Sequence, residues 1–215
     1  MNIFDRSKHI YLSPDFEEII KDTIRFFNGT PVHSISIAER FHGTGVYAIY
    51  SIAKTGIYSK FHLVNRTAFH IPIYIGKAVP KGWRQARQGL SENTRSYELN
   101  NRIREHSRSI NLGEGLDIGD FFCRFMILEG KEGDLIGTVE AALIRKYQPI
   151  WNTLIDGFGN HDPGKGRYEQ AKSDWDVCHP GRSWADKCQG VPANQEVLLQ
   201  SIENFMAGLN SEEDA

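Results

Sequence analysis

Cysteine is scarce in this 215-residue chain: the three present, Cys123, Cys178 and Cys188, are an odd number without paired spacing. That excludes a disulfide framework and a Cys-x-x-Cys metal clip. Cys178, His179 and Cys188 lack a fourth ligand at a usual spacing for zinc. Long apolar runs are also missing, since no segment approaches the roughly 18 to 20 uninterrupted apolar residues of a membrane span. The stretch Met1 to His9 is polar rather than signal-like, so a cytoplasmic location is expected. A third absence is local. Residues 51–72 contain no acid at all, although Asp and Glu number 27 in the whole chain.

That local deficit gives meaning to a net charge of −2. Residues 51–108 hold eleven Lys/Arg (Lys54, Lys60, Arg66, Lys77, Lys81, Arg84, Arg87, Arg95, Arg102, Arg104, Arg108) against three acids (Glu92, Glu98, Glu105), a local +8 that leaves −10 for the remainder. Such asymmetry suits a cationic face for a polyanion on an otherwise acidic body. An ordinary solvated surface would have the same composition. With 40% apolar residues the chain can bury one good core.

Ser13-Pro14-Asp15 reads as a helix start, with Ser13 as N-cap and Pro14 at the first helical position. Phe16, Ile19, Ile20, Ile24 and Phe27 follow at helical spacing up to Asn28-Gly29. A second short helix is expected around Ile37 to Phe41. The β-branched and aromatic runs Gly45 to Ile52 and Ile71 to Lys77 read as neighbouring strands. The connection between them is too long for a hairpin turn and should have work of its own. Helical patterns follow over Gly82–Leu90 and Tyr97–Ser109, with Leu99 and Ile103 on a buried side. Phe121–Leu128 reads as a strand buried on both faces. Thr138 is expected to cap a helix bearing Glu140 that Pro149 ends. An amphipathic helix over Asn194–Met206 precedes an acidic tail (Glu212, Glu213, Asp214).

Several of these residues suit phosphodiester chemistry, which needs an activated water, a proton acceptor and positive charge at the phosphate. Glu140, in the first helical turn, is an oxygen donor suited to Mg²⁺. Arg102 and His106 are four residues apart, so they share a helix face as a phosphate clamp and an imidazole. Tyr47, Tyr50 and Tyr74 on adjacent strands would alone be read as packing, and Asn152 alone as a turn residue. What is specific is the ordered set.

Gly45-Val46-Tyr47, Tyr74-Ile75-Gly76-Lys77, helical Arg102-x-x-x-His106, a helix-borne Glu140 and Pro149-Ile150-Trp151-Asn152 together resemble the GIY-YIG nuclease superfamily over roughly residues 43–156. Asp156 to Arg167, Ser173-Asp174-Trp175-Asp176 and His179-Pro180-Gly181-Arg182 look like the C-terminal part of its restriction-endonuclease branch. The resemblance implies an α/β (α+β) fold, a small three-stranded sheet flanked by helices. It divides the chain into an N-terminal helical extension (1–42), a catalytic core (43–156) with an insertion (51–72) about twice the family's usual length, and a C-terminal extension (157–215). It implies a type II restriction endonuclease that cuts a palindromic, G·C-rich site, CCGCGG, in double-stranded DNA. Mg²⁺, with Mn²⁺ as a substitute, would be held by Glu140, and a DNA methyltransferase would accompany the enzyme. By position, Tyr47 and Tyr74 are the signature tyrosines, Arg102 the phosphate arginine, Glu140 the metal ligand and Asn152 the supporting polar residue, with His106 and Lys77 beside them.

On this reading Tyr47 takes the proton of the attacking water. A free phenol near pKa 10 is a poor base, since deprotonating it at pH 7 costs about 4 kcal/mol. His106, taken as unperturbed near 6.5, and the cations Lys77 and Arg102 should make the transfer accessible. Cleavage of both strands of a palindrome calls for a homodimer, with the N-terminal helices and the 51–72 insertion as candidate contacts. Candidate DNA-binding residues are Lys54, Lys60, Arg66, Arg84, Arg87, Arg95, Lys165, Arg167 and Arg182. A structure-selective repair or mobile-element nuclease and a non-catalytic DNA-binding module are the rival readings.

Overall fold

The computed structural model describes residues 4–80, 82–83 and 96–209. Most of the helix expected over Gly82–Leu90, the basic residues Lys81, Arg84, Arg87 and Arg95, and the acidic tail lie outside the described residues. No helix among those described is long and apolar enough to cross a membrane.

The two signature runs form neighbouring antiparallel strands, as expected. β2 (Gly45–Ser51) is central and buried along its whole length, and β3 (Tyr74–Ala78) is the edge strand beside it. β4 (Phe121–Ile127) pairs with the other side of β2. The sheet has four strands rather than three, because β1 (Val32–Ser34) adds to β4 and gives the order β1-β4-β2-β3, all antiparallel. The helix expected near Ile37 to Phe41 is absent, and this segment runs as irregular chain. Long-range contacts outweigh the local spacing there: the Ile35 N–H donates to the Phe121 carbonyl, and Phe41 stacks on Phe125 at 4.7 Å. So short a segment gains too little from its own helical bonds to compete.

Strand parity divides the core into two layers. Tyr47 and Ile49 face α3 (Glu98–Leu112), α5 (Ile150–Thr153), α6 (Asp174–Cys178) and α7 (Gln195–Ala207), through Leu99, Ile103, Trp151, Trp175 and Ile202. Val46, Ala48 and Tyr50 face α1 (Phe16–Gly29) and α4 (Ile136–Tyr147), through Phe27, Ile136, Val139 and Leu143. α7 starts at the predicted Asn194, whose side chain caps the Glu196 and Val197 amides. α1 starts two residues later than Ser13-Pro14 suggests, with Asp15 as N-cap, and buries only Phe27. α4 begins at Ile136, entered directly from a 3-10 turn, so Thr138 is not its cap. Glu140 therefore lies in the second turn, where the helix dipole contributes little.

The connection between β2 and β3 is a packed element. It carries α2 (Lys60–Asn65), buries Tyr58, Phe61 and Val64 in the Tyr47 layer, and leaves Lys54, Lys60 and Arg66 exposed. Asn65 closes its base: the side-chain amide donates to the Ser51 and Ile71 carbonyls at 3.1 and 2.9 Å and accepts from the Ile71 N–H at 3.0 Å. A buried chain of hydrogen bonds then ties this element to the C-terminal segment. Trp151 Nε1 donates to the Tyr58 hydroxyl (2.8 Å), which meets His179 Nε2 (2.9 Å), and His179 Nδ1 meets the Glu114 carbonyl (3.0 Å). Only a neutral imidazole protonated on Nδ1 satisfies both neighbours. With both nitrogens engaged, His179 is not a metal ligand beside Cys178 and Cys188, and no cluster of metal-ligating side chains occurs among the described residues.

Burial lowers the His179 pKa to about 4, against an unfolded value of about 6.5. The unfolded chain thus takes up the proton first as pH falls. The stability that depends on neutral His179 is complete above about pH 6.5 and is lost progressively toward pH 4, on the order of 3 kcal/mol. Denaturant unfolding at a series of pH values should show this decline, and a His179→Gln variant should show a shallower one.

Candidate active site

Tyr47 pairs in register with Gly76 on β3 and with Phe125 on β4, which places its ring in the layer under α3. Its side chain has no exposed surface, and its hydroxyl lies 2.6 Å from His106 Nε2. The ring is accommodated because Gly76 has no side chain: a Cβ there would lie 2.4 Å from the Tyr47 hydroxyl oxygen. The glycine of the Tyr74-Ile75-Gly76 run is thus required by the tyrosine of the first run.

His106, Leu99, Ile103 and Ile110 all lie on the buried side of α3. His106 is 2% exposed, with its ring stacked on Phe158 at 4.5 Å. Burial, aided by the charges of Arg102, His161 and Arg182, lowers its pKa well below 6.5. The expectation of an unperturbed imidazole is therefore corrected: His106 is neutral at pH 7. Burial also raises the Tyr47 pKa well above 10, with Tyr74 and Glu140 acting in the same direction and Arg102 opposing. Tyr74, also raised by burial, lies beside it.

Arg102 is partly exposed and reaches across this pair. Its Nη2 donates to the Gly159 carbonyl at 2.8 Å and its Nη1 to Glu105 at 3.2 Å, and Nη1 also contacts the His161 ring. Burial alone would lower its pKa, but the Tyr47 and Tyr74 phenols and Glu105 outweigh it, so the guanidinium stays charged.

Parity puts Lys77 and Glu140 on the other face of the sheet, where Lys77 Nζ donates to Glu140 Oε2 at 2.5 Å. β3 is the edge strand of the sheet, so this pair lies at the sheet's edge. Glu140 acts electrostatically on both tyrosines, adding to the effect of burial in raising their pKa values. Asn152 lies behind the same edge, with Oδ1 accepting from the Ile75 N–H and Nδ2 donating to the Ile75 carbonyl, both at 2.8 Å. It satisfies both backbone groups of Ile75 and holds β3 in place, so its part is to position.

Tyr47, Tyr74, Arg102 and His106 thus come together on one face of the sheet, and Lys77 and Glu140 pair on the other. Among the DNA-binding candidates, Lys54, Lys60, Arg66, Lys165 and Arg167 are exposed, and Arg84, Arg87 and Arg95 lie outside the described residues. Arg182 is corrected: it is 3% exposed, ion-paired with Asp176, and unavailable to DNA. Phe158 and Gly159, which touch His106, Tyr74 and Arg102, had no chemical signal of their own beyond an aromatic residue between two glycines.

The arrangement offers a guanidinium and an ammonium for an anion, one partly exposed carboxylate for a hard cation, and a buried phenol–imidazole pair for proton movement. A Gly76→Ala methyl must displace the Tyr47 hydroxyl. Overpacking of this kind should cost about 1–3 kcal/mol, measured as a lower denaturation midpoint, together with an altered tyrosine near-ultraviolet circular dichroism signal.

Comparison with protein families finds a match to the Eco29kI GIY-YIG domain over residues 39–206, well over half of the chain. Comparison with curated proteins finds no match.

Proposed function

The chain belongs to the Eco29kI GIY-YIG domain family, and from that premise we propose that it is a Mg²⁺-dependent type II restriction endonuclease that hydrolyses both strands of a palindromic, G·C-rich DNA site, CCGCGG by resemblance. Family membership itself implies a nuclease. The observation that carries the finer reading is the buried Tyr47–His106 hydrogen bond, with Arg102 on one side and the Lys77–Glu140 pair on the other.

In this reading a phosphate oxygen takes the place of Glu105 and His161 on Arg102. The attacking water gives its proton to the Tyr47 oxygen while the Tyr47 hydroxyl proton passes to His106 Nε2, with the resting imidazole proton on Nδ1. No buried phenolate accumulates, which matters because burial makes that species costly. A neutral His106 can take the proton, and the negative phosphate offsets the Arg102 charge that otherwise opposes it. Tyr74 packs against the ring of Tyr47 and orients it. Asn152 keeps the β3 edge straight beneath the substrate.

The donor set fits Mg²⁺, with Mn²⁺ as a substitute. Glu140 is a single partly exposed carboxylate, and a hard ion that draws its other ligands from water and phosphate suits such a site. Held there, the ion would supply positive charge at the leaving 3′ oxygen. Lys77 supplies charge beside it and shares Glu140.

One such site cuts one strand, so a homodimer on a two-fold symmetric site follows. Exposed Phe4, Ile10, Tyr11, Leu12, Phe16 and Ile19 near the N-terminus support that segment as the contact. Lys54, Lys60 and Arg66 on the insertion, with Lys165 and Arg167, would meet the DNA. A methyltransferase would protect the host's sites.

Plasmid DNA with Mg²⁺ should yield discrete double-strand fragments. Nicks or cuts confined to branched DNA would instead favour a repair or mobile-element nuclease, and no reaction a binding module. Tyr47→Phe and Glu140→Ala should each lose roughly 10²- to 10⁴-fold in rate while DNA binding survives; cleavage by Glu140→Ala at the wild-type rate would sink the assignment. Because the His106 pKa is lowered in the free protein, its neutral form persists into acid, and kcat/KM should stay level through pH 6.5 and fall only further down. An inflection near 6.5 would count against the proton relay.

A further inference from the structure

We propose that Arg182 is a positioning residue for this active site, acting through the loop 157–160 to hold Arg102, Tyr74 and His106 in their working geometry. The kinetic part of this proposal rests on the nuclease reading above.

All five guanidinium N–H donors of Arg182 have partners. Nε donates to Asp176 Oδ1 at 2.6 Å and Nη2 to Asp176 Oδ2 at 2.7 Å. The other three go to backbone carbonyls of one four-residue loop: Nη2 to that of Gly157 (3.0 Å), and Nη1 to those of Phe158 (3.1 Å) and Asn160 (3.2 Å). Trp175 and Trp184 lie 4.6 and 4.7 Å from the guanidinium carbon. Asp176 is itself oriented by the Ser173 hydroxyl, which donates to Oδ2 at 2.7 Å. Gly157, at φ +89°, has its missing Cβ position 2.0 Å from Ser173 Cβ, so only glycine lets the loop close on α6.

A buried ion pair recovers its desolvation cost only with full hydrogen bonding, and apolar packing would serve stability as well. What apolar packing cannot do is hold three backbone carbonyls at fixed positions. The loop so held delivers three contacts to the site. Phe158 stacks on His106 and meets Tyr74 edge-on at 4.8 Å. The Gly159 carbonyl accepts from Arg102, and a Cβ on Gly159 would lie 2.7 Å from the Tyr74 hydroxyl. Asn160 leads to His161, which touches Arg102. The strut therefore ends on three residues of the proposed site, Arg102, Tyr74 and His106, with which Arg182 itself makes no hydrogen bond.

The test uses the full chain with Arg182→Lys, which keeps a positive charge for Asp176 but cannot reach all three carbonyls, and Gly159→Ala, which leaves every Arg182 bond intact and crowds Tyr74 and Arg102. Both should cleave plasmid with kcat lowered about 10²-fold and KM little changed, at a temperature where circular dichroism shows them folded. Nitrogen-15 signals of the His106 imidazole and the Arg102 guanidinium, read without DNA, should shift in both. A folded Arg182→Lys protein with wild-type kcat and wild-type side-chain signals overturns the proposal, as does a kcat loss that disappears once the temperature is lowered enough to refold the variant. Should Arg182→Lys fail to fold, Asp176→Asn, which keeps the side-chain shape but removes the carboxylate that fixes Arg182, decides by the same readings. If the wild-type protein cuts no DNA, the nuclease reading fails by itself, and the side-chain signals still decide whether Arg182 positions Arg102 and His106.

Discussion

A phenol enclosed by a sheet and a helix must have a partner for its hydroxyl, or the cost of stripping it from water goes unmet. For Tyr47 that partner is His106, and much of the molecule is arranged around the bond. α3 must present His106 inward, on the same side as Leu99 and Ile103. β3 must carry a glycine opposite Tyr47, because any side chain at Gly76 would occupy the hydroxyl's place. Phe158 must cover the imidazole, so the loop bearing it needs an anchor, which Arg182 and Asp176 supply. The same enclosure raises the phenol pKa and lowers that of the imidazole, keeping both neutral until a substrate brings charge.

The edge position of β3 is the second constraint. Side chains of opposite strand parity point away from one another, so the interior of a wide sheet would keep Tyr47 apart from Lys77 and from the Glu140 that α4 brings to it. At an edge only one strand intervenes, and at Gly76 that strand has no side chain. An exposed edge also invites pairing with other chains. Asn152 blunts this one by taking both backbone groups of Ile75.

Patterns with strong local causes were legible. The strands around Tyr47 and Tyr74, α3 with its buried Leu99 and Ile103, and α7 with its Asn194 cap stand within a few residues of their expected places. The GIY-YIG resemblance rested on the order of motifs rather than on any one of them, and the family match supports it. Less legible were features decided by partners distant in sequence. Ile37 to Phe41 has helical spacing, yet Phe41 answers to Phe125 and the chain there is irregular. Val32–Ser34 has no strong strand signal and joins the sheet because β4 offers a free edge. Arg182 stands in a run with other polar residues and reads as a surface cation, although it is among the most enclosed charges described.

The sequence by itself determined the residue types and their order: two tyrosine-bearing strands, an arginine and a histidine one helical turn apart, a helix-borne glutamate, and a segment rich in positive charge. These follow from periodicity and composition, which are local properties of a chain. Tertiary structure alone decided which of those residues are neutral, which are paired and which serve as struts. Burial, dielectric surroundings and hydrogen-bond partners depend on segments tens of residues apart, such as Tyr47 against His106, Lys77 against Glu140, and Arg182 against the loop that steadies Arg102.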